Sequence, residues 1–244
     1  MIHLLGLTVH DPDVAFTDLG LAILGGYLGW RLWNAPGPRM LLRTGALLMG
    51  GLASAALWGA VFHAFFPAGT ATPAGFLVWV PVALSIVGAA SVMLDLGLRL
   101  LLPRTQPRVR RLIVATYAAS FAVVVLLVDE SFSSIVYFYT PALVLFLIAA
   151  GQEALRGRET GWTLITSGLI ISAVAAMLQQ ARVAVHPVYF DHNAVYHVVQ
   201  AIALVFLYLG WRRAPLPPYV AGEGPAPPGR ASVSQIRGYS AGRD

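Results

Sequence analysis

The chain has 244 residues, of which 57% are hydrophobic and only 11% are charged, with a formal net charge of +5. Because a soluble protein carries about 25% charged residues, this composition excludes an ordinary soluble domain and predicts a multi-pass membrane protein. The chain has no cysteine, and all 16 of its basic residues are arginine, which excludes a thiolate metal site, a disulfide and a retinal-type Schiff base.

Seven apolar stretches are long enough to cross a bilayer core, which takes about 20 helical residues. The predicted helices are, in chain order, 14–33, 46–66, 75–102, 112–128, 135–155, 162–183 and 194–211. Prolines follow several of them, as expected of a residue that cannot continue a helix. We therefore predict an all-α, seven-helix transmembrane bundle over residues 14–213, preceded by a short extracytoplasmic segment at 1–13.

The distribution of arginine predicts the orientation of the bundle. Arginines follow the first, third, fifth and seventh predicted helices, at Arg39, Arg43, Arg104, Arg108, Arg110, Arg111, Arg156, Arg158, Arg212 and Arg213. Near the opposite ends of the helices there is only Arg182. Because cytoplasmic loops carry an excess of basic residues, the prediction is N-terminus out and C-terminus in. Residues 214–244, rich in Pro, Gly, Ser and Ala, are predicted to form a disordered cytoplasmic tail.

Ionisable residues other than arginine gather at the predicted outer side. Asp18, His63 and His197 each lie about one turn inside the first, second and seventh helices, so they share a depth roughly 5 Å below the outer boundary. Ionisable residues inside a membrane are costly and mark a functional site by default. We therefore predict a buried site here. The competing interpretation is a set of interface residues or a structural hydrogen-bond network.

Small residues indicate which faces of these helices point into the bundle. Gly59 lies four residues before His63, and Ala22 lies four residues after Asp18. Such spacing places small residues on the same helix face as the polar group and lets helices approach closely. On the seventh helix one stripe holds four polar or aromatic residues, Asn193, Tyr196, His197 and Gln200.

Imidazole and carboxylate groups together are typical ligands of a divalent metal. We predict that His63, His197 and Asp18 hold a zinc-like ion, with iron or manganese as alternatives. Asp18 or His192 is the predicted catalytic group, which takes a proton from metal-bound water. Residues predicted to support the metal or to bind substrate are Asn193, Tyr196, Gln200, Gln179 and Arg182. Haem, retinal and nucleotide are not expected, because the histidines all lie on one side and no phosphate-binding motif is present.

The placement of His63 and His197, with acids at Asp11, Asp13 and Asp18, resembles the superfamily of alkaline ceramidases and progestin/adipoQ receptors. This resemblance implies a seven-helix fold, an intramembrane zinc ion and hydrolysis of a lipid amide.

The chain departs from that superfamily's pattern at three points. His192 and His197 are five residues apart, where the superfamily has four, and Gly59 stands where it has a serine. The third predicted helix has no acid at its beginning.

The predicted function is hydrolysis of a lipid amide or ester that enters from the outer leaflet. The alternative is a non-enzymatic bundle, such as a small transporter, a sensor or an assembly subunit. No nucleic-acid partner is expected, because the arginines flank apolar helices. The arginine-only, Ala/Gly/Pro-rich usage favours a GC-rich bacterial genome and hence an inner membrane. The sequence leaves the oligomeric state open.

Overall fold

The computed structural model describes residues 1–4, 6–157, 159–186 and 189–221. Within these ranges the chain forms seven long helices: α1 Pro12–Trp33, α2 Arg39–Phe65, α3 Pro73–Leu101, α4 Pro107–Val123, α5 Phe132–Gly157, α6 Thr160–Gln180 and α7 His192–Trp211. The shorter elements are an antiparallel hairpin of β1 Ile2–Leu4 and β2 Leu7–Val9, a 3₁₀ turn Gly69–Ala71, a π-helical turn Val124–Val128 that continues α4, and a final helical turn, α8 Pro218–Ala221.

Local sequence accounts for where several helices begin. Pro12, Pro73 and Pro107 each stand in the first turn of a helix, where the missing N–H group costs nothing. Asp191 caps α7, since its carboxylate accepts the backbone N–H groups of Asn193 and Ala194 at 2.8 and 3.0 Å. Helices α2 and α4 begin earlier than hydropathy alone predicts, because arginines interrupt the apolar run at their beginnings.

Six of the long helices described are long and apolar enough to cross a membrane, and they make the chain an integral membrane protein. These are α2, α3, α4 with its π-helical turn, α5, α6 and α7. Helix α1 is not among them, and it carries Asp13, Asp18 and Arg31, which lower its hydropathy. It nevertheless packs along α2 and against α7.

Large aromatic residues and glycines hold the bundle together. Phe146 and Trp211 are fully buried and stack with ring centroids 5.9 Å apart. Where α6 and α7 cross, a Cβ atom on Gly210 would lie 2.7 Å from Ile165 N. That distance is shorter than any real contact, so glycine is needed for the close approach of the two helices.

The chain after α7 folds back onto α5 and α6. Ala214 is buried, and Trp162 Nε1 donates a hydrogen bond to Pro215 O at 3.2 Å. Tyr219 donates its hydroxyl proton to Glu153 Oε1 at 2.6 Å. The first residues of the predicted tail are thus packed on the bundle, and positions 222–244 lie outside the described residues.

Candidate functional site

A buried aspartate and a buried histidine form the centre of the site. Asp18 on α1 and His197 on α7 are 4% and 7% exposed. Asp18 Oδ1 lies 3.0 Å from His197 Nε2, a normal hydrogen-bond distance. The two residues that the sequence places at one depth are therefore in direct contact.

Thr17 fixes the orientation of the His197 ring. The Thr17 hydroxyl oxygen lies 3.0 Å from His197 Nδ1 and donates its own proton to Asp13 O at 2.8 Å. With the single hydroxyl proton of Thr17 on Asp13 O, Nδ1 is the donor in the bond between Thr17 and His197. One proton then remains between Asp18 and Nε2 of His197. The pair is neutral overall, which suits a site shielded from water.

The Asp18 carboxylate packs against α2 at Gly59. A Cβ atom on Gly59 would lie 2.7 Å from Asp18 Oδ2. The absence of a side chain at Gly59 therefore makes room for a buried carboxylate of a neighbouring helix.

Asp18 and His197 form part of the wall of a cavity within the bundle, here called the inner cavity. Its other walls are mostly apolar and come from α1, α2, α3, α5, α6 and α7, with Leu21, Leu52, Val82, Ile135, Leu143 and Ala176 among them. Pro81 on α3 and Pro141 on α5 stand beside lining residues. Proline removes one backbone hydrogen bond from each of these helices. Because most of its walls are apolar, the inner cavity suits a hydrocarbon chain better than a polar group.

A more polar cavity, here called the vestibule, adjoins the inner cavity. Its polar lining includes Thr70, Glu130, Gln179, His192 and Asn193. Six residues line both spaces: Phe62, His63, Trp79, Phe132, Tyr196 and His197. The two cavities therefore meet at these six residues, with the apolar space on one side and the polar space on the other.

His63 lies at the junction of the two cavities. Its ring meets Phe62 edge to face, with centroids 5.8 Å apart. Among the described residues, no hydrogen-bond or ion-pair partner engages its ring nitrogens. The His63 imidazole is therefore available to a bound molecule or to water.

Four of the other residues predicted on α6 and α7 lie around the cavities. Gln200 is buried and donates to Ser172 Oγ at 3.1 Å, and Gln179 donates to Asn193 Oδ1 at 3.2 Å. These contacts tie α6 to α7 around the cavities. Tyr196 lines both cavities directly.

His192 and Arg182 lie further from the centre. Helix α7 begins at His192, so His192 and His197 belong to one helix and point about 140° apart. His192 lines the vestibule, with Nδ1 3.7 Å from an Asp191 carboxylate oxygen. Arg182 is exposed in a left-handed turn with φ 52° and lines neither cavity. A role for Arg182 in gripping a head group therefore has no support in the geometry.

The N-terminal segment lies across the same end of the bundle. Asp11 N donates to the carbonyl of His63 at 3.4 Å, and His10 N donates to Ala64 O at 3.0 Å. Asp13 Oδ2 accepts the backbone N–H of Asp191 at 3.1 Å. These bonds connect the beginning of α1 to the end of α2 and the beginning of α7, and so hold the site residues in register.

The donor set does not fit a metal ion as it stands. Asp18 and His197 are close enough to share an ion, since two zinc ligands are about 3.3 Å apart. However, both ring nitrogens of His197 already have protein partners. Within the part of the chain that the structure describes, no group of three or more His, Asp or Glu side chains is placed to hold a metal. We therefore assign no chemical step to a metal.

Sequence reasoning missed several residues of the site. Thr17 and Ser172 were hidden because hydroxyl residues are common in membrane helices and often bond their own backbone. Trp79 gives no distinct signal in the sequence, because tryptophan is common near membrane interfaces, yet it is 6% exposed and lines both cavities. Glu130 lines the vestibule, but it follows Asp129 directly in the loop before α5, and the sequence alone does not distinguish one acid from the other.

Comparison with known proteins places this bundle in a family. The sequence pattern of a family of unknown function, DUF6962, matches residues 14–215. The chain belongs to the DUF6962 family. The match covers nearly all of α1 and every helix through α7, and so both cavities, while the N-terminal hairpin and α8 lie outside it. No curated protein and no solved structure matches the chain significantly.

Proposed function

We propose that this DUF6962 protein is a seven-span inner-membrane protein that binds a lipid-like amphiphile and hydrolyses its amide or ester bond. Helix α1, with 22 residues, is about 33 Å long and packs along α2, which supports counting it as a seventh span. Arginines after α1, α3 and α5 support an outer N-terminus and an inner C-terminus.

The carrying observation is that acid–base groups lie where an apolar cavity meets a polar one. Asp18, His197 and His63 all line the inner cavity. An amphiphile with its chain among the apolar walls and its head in the vestibule would place its linking amide or ester near these groups. Binding energy from the chain would then position the reacting carbonyl.

The three groups divide into a base and an acid. In the proposed reaction a water molecule gives a proton to His63, and the hydroxide adds to the carbonyl carbon. The C–N or C–O bond breaks as the proton between Asp18 and His197 moves to the leaving nitrogen or oxygen. His63 then returns its proton to the pair. The products are a carboxylic acid and an amine or alcohol.

Trp79 offers a further contact for the substrate. Its indole Nε1–H is buried and has no hydrogen-bond partner among the described residues. Such a donor is costly unless something accepts from it. In the proposed reaction it donates to the carbonyl oxygen as negative charge develops there, as in an oxyanion hole.

The test is turnover of long-chain amides and esters by purified protein, with products measured by mass spectrometry. Asp18→Asn and His63→Gln should each reduce turnover by about 100-fold or more, the usual contribution of a positioned acid or base. His3→Gln, at an exposed histidine in the N-terminal hairpin, is the matched control. Full activity in Asp18→Asn or His63→Gln would refute the proposed roles.

Metal content of the same samples tests the metal-dependent interpretation. One ion per chain in the wild type, lost in both His63→Gln and His197→Gln, would replace the proposed division of roles with a metal-dependent one.

A second candidate is a non-enzymatic receptor, carrier or assembly subunit. The observation that favours it is that much of the polar layer is satisfied by protein, as in the Gln200–Ser172 and Gln179–Asn193 bonds. Such networks stabilise a bundle without chemistry. Tight amphiphile binding without product formation would support this candidate.

A further inference from the structure

Four aromatic residues surround the junction between the vestibule and the inner cavity: Phe62, Trp79, Phe132 and Tyr196. Phe62 and Trp79 are in ring contact, with centroids 5.6 Å apart. Tyr196 stands beside His197 with a centroid distance of 5.2 Å. Aromatic faces carry negative partial charge and attract cations, tryptophan most strongly.

A carboxylate lies in the vestibule next to these rings. Of the two adjacent acids before α5, Asp129 is fully engaged, since it accepts from Ser131 N at 3.0 Å and from the hydroxyls of Ser131 and Ser134. Glu130 lines the vestibule and has no hydrogen-bond or ion-pair partner within the described ranges. The Asp129 bonds hold the turn that presents Glu130.

The cavities contain no fixed positive charge to oppose a cation. Of the residues that the structure describes, no arginine lines the inner cavity or the vestibule, and the sequence has no lysine. The basic side chains there are the imidazoles of His63, His192 and His197. An anionic phosphate or carboxylate head would meet Glu130 without a compensating guanidinium group.

We propose that the vestibule binds a positively charged head group, a quaternary ammonium or protonated amine, and the inner cavity binds the single hydrocarbon chain attached to it. The rings of Phe62, Trp79, Phe132 and Tyr196 contact the cation, and Glu130 neutralises its charge. This inference rests on the proposed function and names the substrate class of that site.

The test uses three amphiphiles of one chain length: decyltrimethylammonium, decanol and decanoate. Each is titrated into the full-length protein in maltoside detergent, which carries no competing charge, and binding is followed by tryptophan fluorescence. The cationic amphiphile should bind about tenfold more tightly than decanol. Decanoate should bind most weakly. Tetramethylammonium, which lacks a chain, separates recognition of a lipid head from recognition of a free cation.

Two variants test the assigned groups. Glu130→Gln should reduce affinity for decyltrimethylammonium about tenfold and leave affinity for decanol unchanged. Phe132→Leu, at a residue that is 36% exposed, should weaken cation binding several-fold without unfolding the protein. The matched controls are Glu159→Gln and Phe16→Leu, exposed residues that line neither cavity.

The possible results separate this inference from the proposed function. Equal affinity for the three amphiphiles, or an unchanged Glu130→Gln variant, would overturn the cationic head group and leave amphiphile binding standing. Binding of none of them, in protein whose thermal unfolding is normal, would overturn both. Tetramethylammonium binding as tight as that of decyltrimethylammonium would show that the ligand is a free cation and would also overturn the inference.

Discussion

The contact between Gly59 and Asp18 allows the site to be perturbed by one methyl group. In Gly59→Ala the new Cβ atom would lie 2.7 Å from Asp18 Oδ2, whereas ordinary contacts begin near 3.4 Å. The carboxylate must therefore move by about 0.7 Å, and overpacking of this kind costs about 1–3 kcal/mol. If the Asp18–His197 bond breaks, two buried polar groups lose their partner, at about 1–3 kcal/mol each.

Gly50→Ala is the matched control for this prediction. Gly50 lies on the same helix, and a Cβ atom there would meet nothing within 4 Å. Replacing glycine with alanine inside a helix gains up to about 1 kcal/mol. We expect Gly50→Ala to be neutral or stabilising and Gly59→Ala to be less stable than Gly50→Ala by about 2–4 kcal/mol.

The assay is thermal or denaturant unfolding in detergent, together with amphiphile hydrolysis on the same samples. We expect Gly59→Ala to lose turnover and Gly50→Ala to keep it. Equal stability and equal activity of the two variants would show that Asp18 moves aside freely. The rigid placement of the carboxylate against α2 would then be refuted.

Three further predictions concern hydrogen bonds of individual side chains. Thr17→Val removes the hydroxyl that bonds His197 Nδ1. The variant should be less stable by about 1–2 kcal/mol and should turn over more slowly. Unchanged turnover would mean that Thr17 does not fix the tautomer of His197. Tyr219→Phe removes the bond to Glu153 and should increase trypsin cleavage after Arg213, with Tyr137→Phe as an exposed control. Three hydrogen bonds lower the pKa of Asp129: the bond from the Ser134 side chain has the largest effect, and two bonds from Ser131 add to it. Asp129→Asn should therefore melt below the wild type at neutral pH, and this difference should shrink as the pH falls below the ordinary value of 3.8; a pH-independent difference would contradict this origin.

The sequence was sufficient to predict the helices but not all of their ends. Apolar runs of membrane length have few alternatives to helix, because a bilayer leaves no partner for an open backbone. The arginine-rich first turns of α2 and α4 were missed, since hydropathy marks the apolar part of a helix and not its polar extension. The first helix is the reverse case. Its polar residues lower its hydropathy, while its packing against α2 and α7 keeps it in the bundle.

That Asp18, His63 and His197 lie around one space was predictable from the sequence, and rotation about the helix axes was not. Counting residues from the helix ends placed Asp18, His63 and His197 in one layer. Whether two of them touch depends on how α1 and α7 are turned, and no pattern within one helix contains that information. The direct bond between Asp18 and His197 therefore emerged only from the structure. The structure also showed that the His63 ring has no hydrogen-bond or ion-pair partner among the described residues.

The direct bond between Asp18 and His197 also changes the chemistry that the same residues suggest. Imidazole and carboxylate groups at one depth suggest shared metal ligation when their contacts are unknown. His197 lies between Thr17 and Asp18 with a partner at each ring nitrogen, and in the proposed function the Asp18–His197 pair holds and releases one proton. In the proposed function His63, which lines the same cavity and has no protein partner among the described residues, acts as the base while the pair acts as the acid. The predicted metal site and the proposed acid–base site thus use the same three residues. They differ in whether Asp18 and His197 bind a shared ion or bond each other directly.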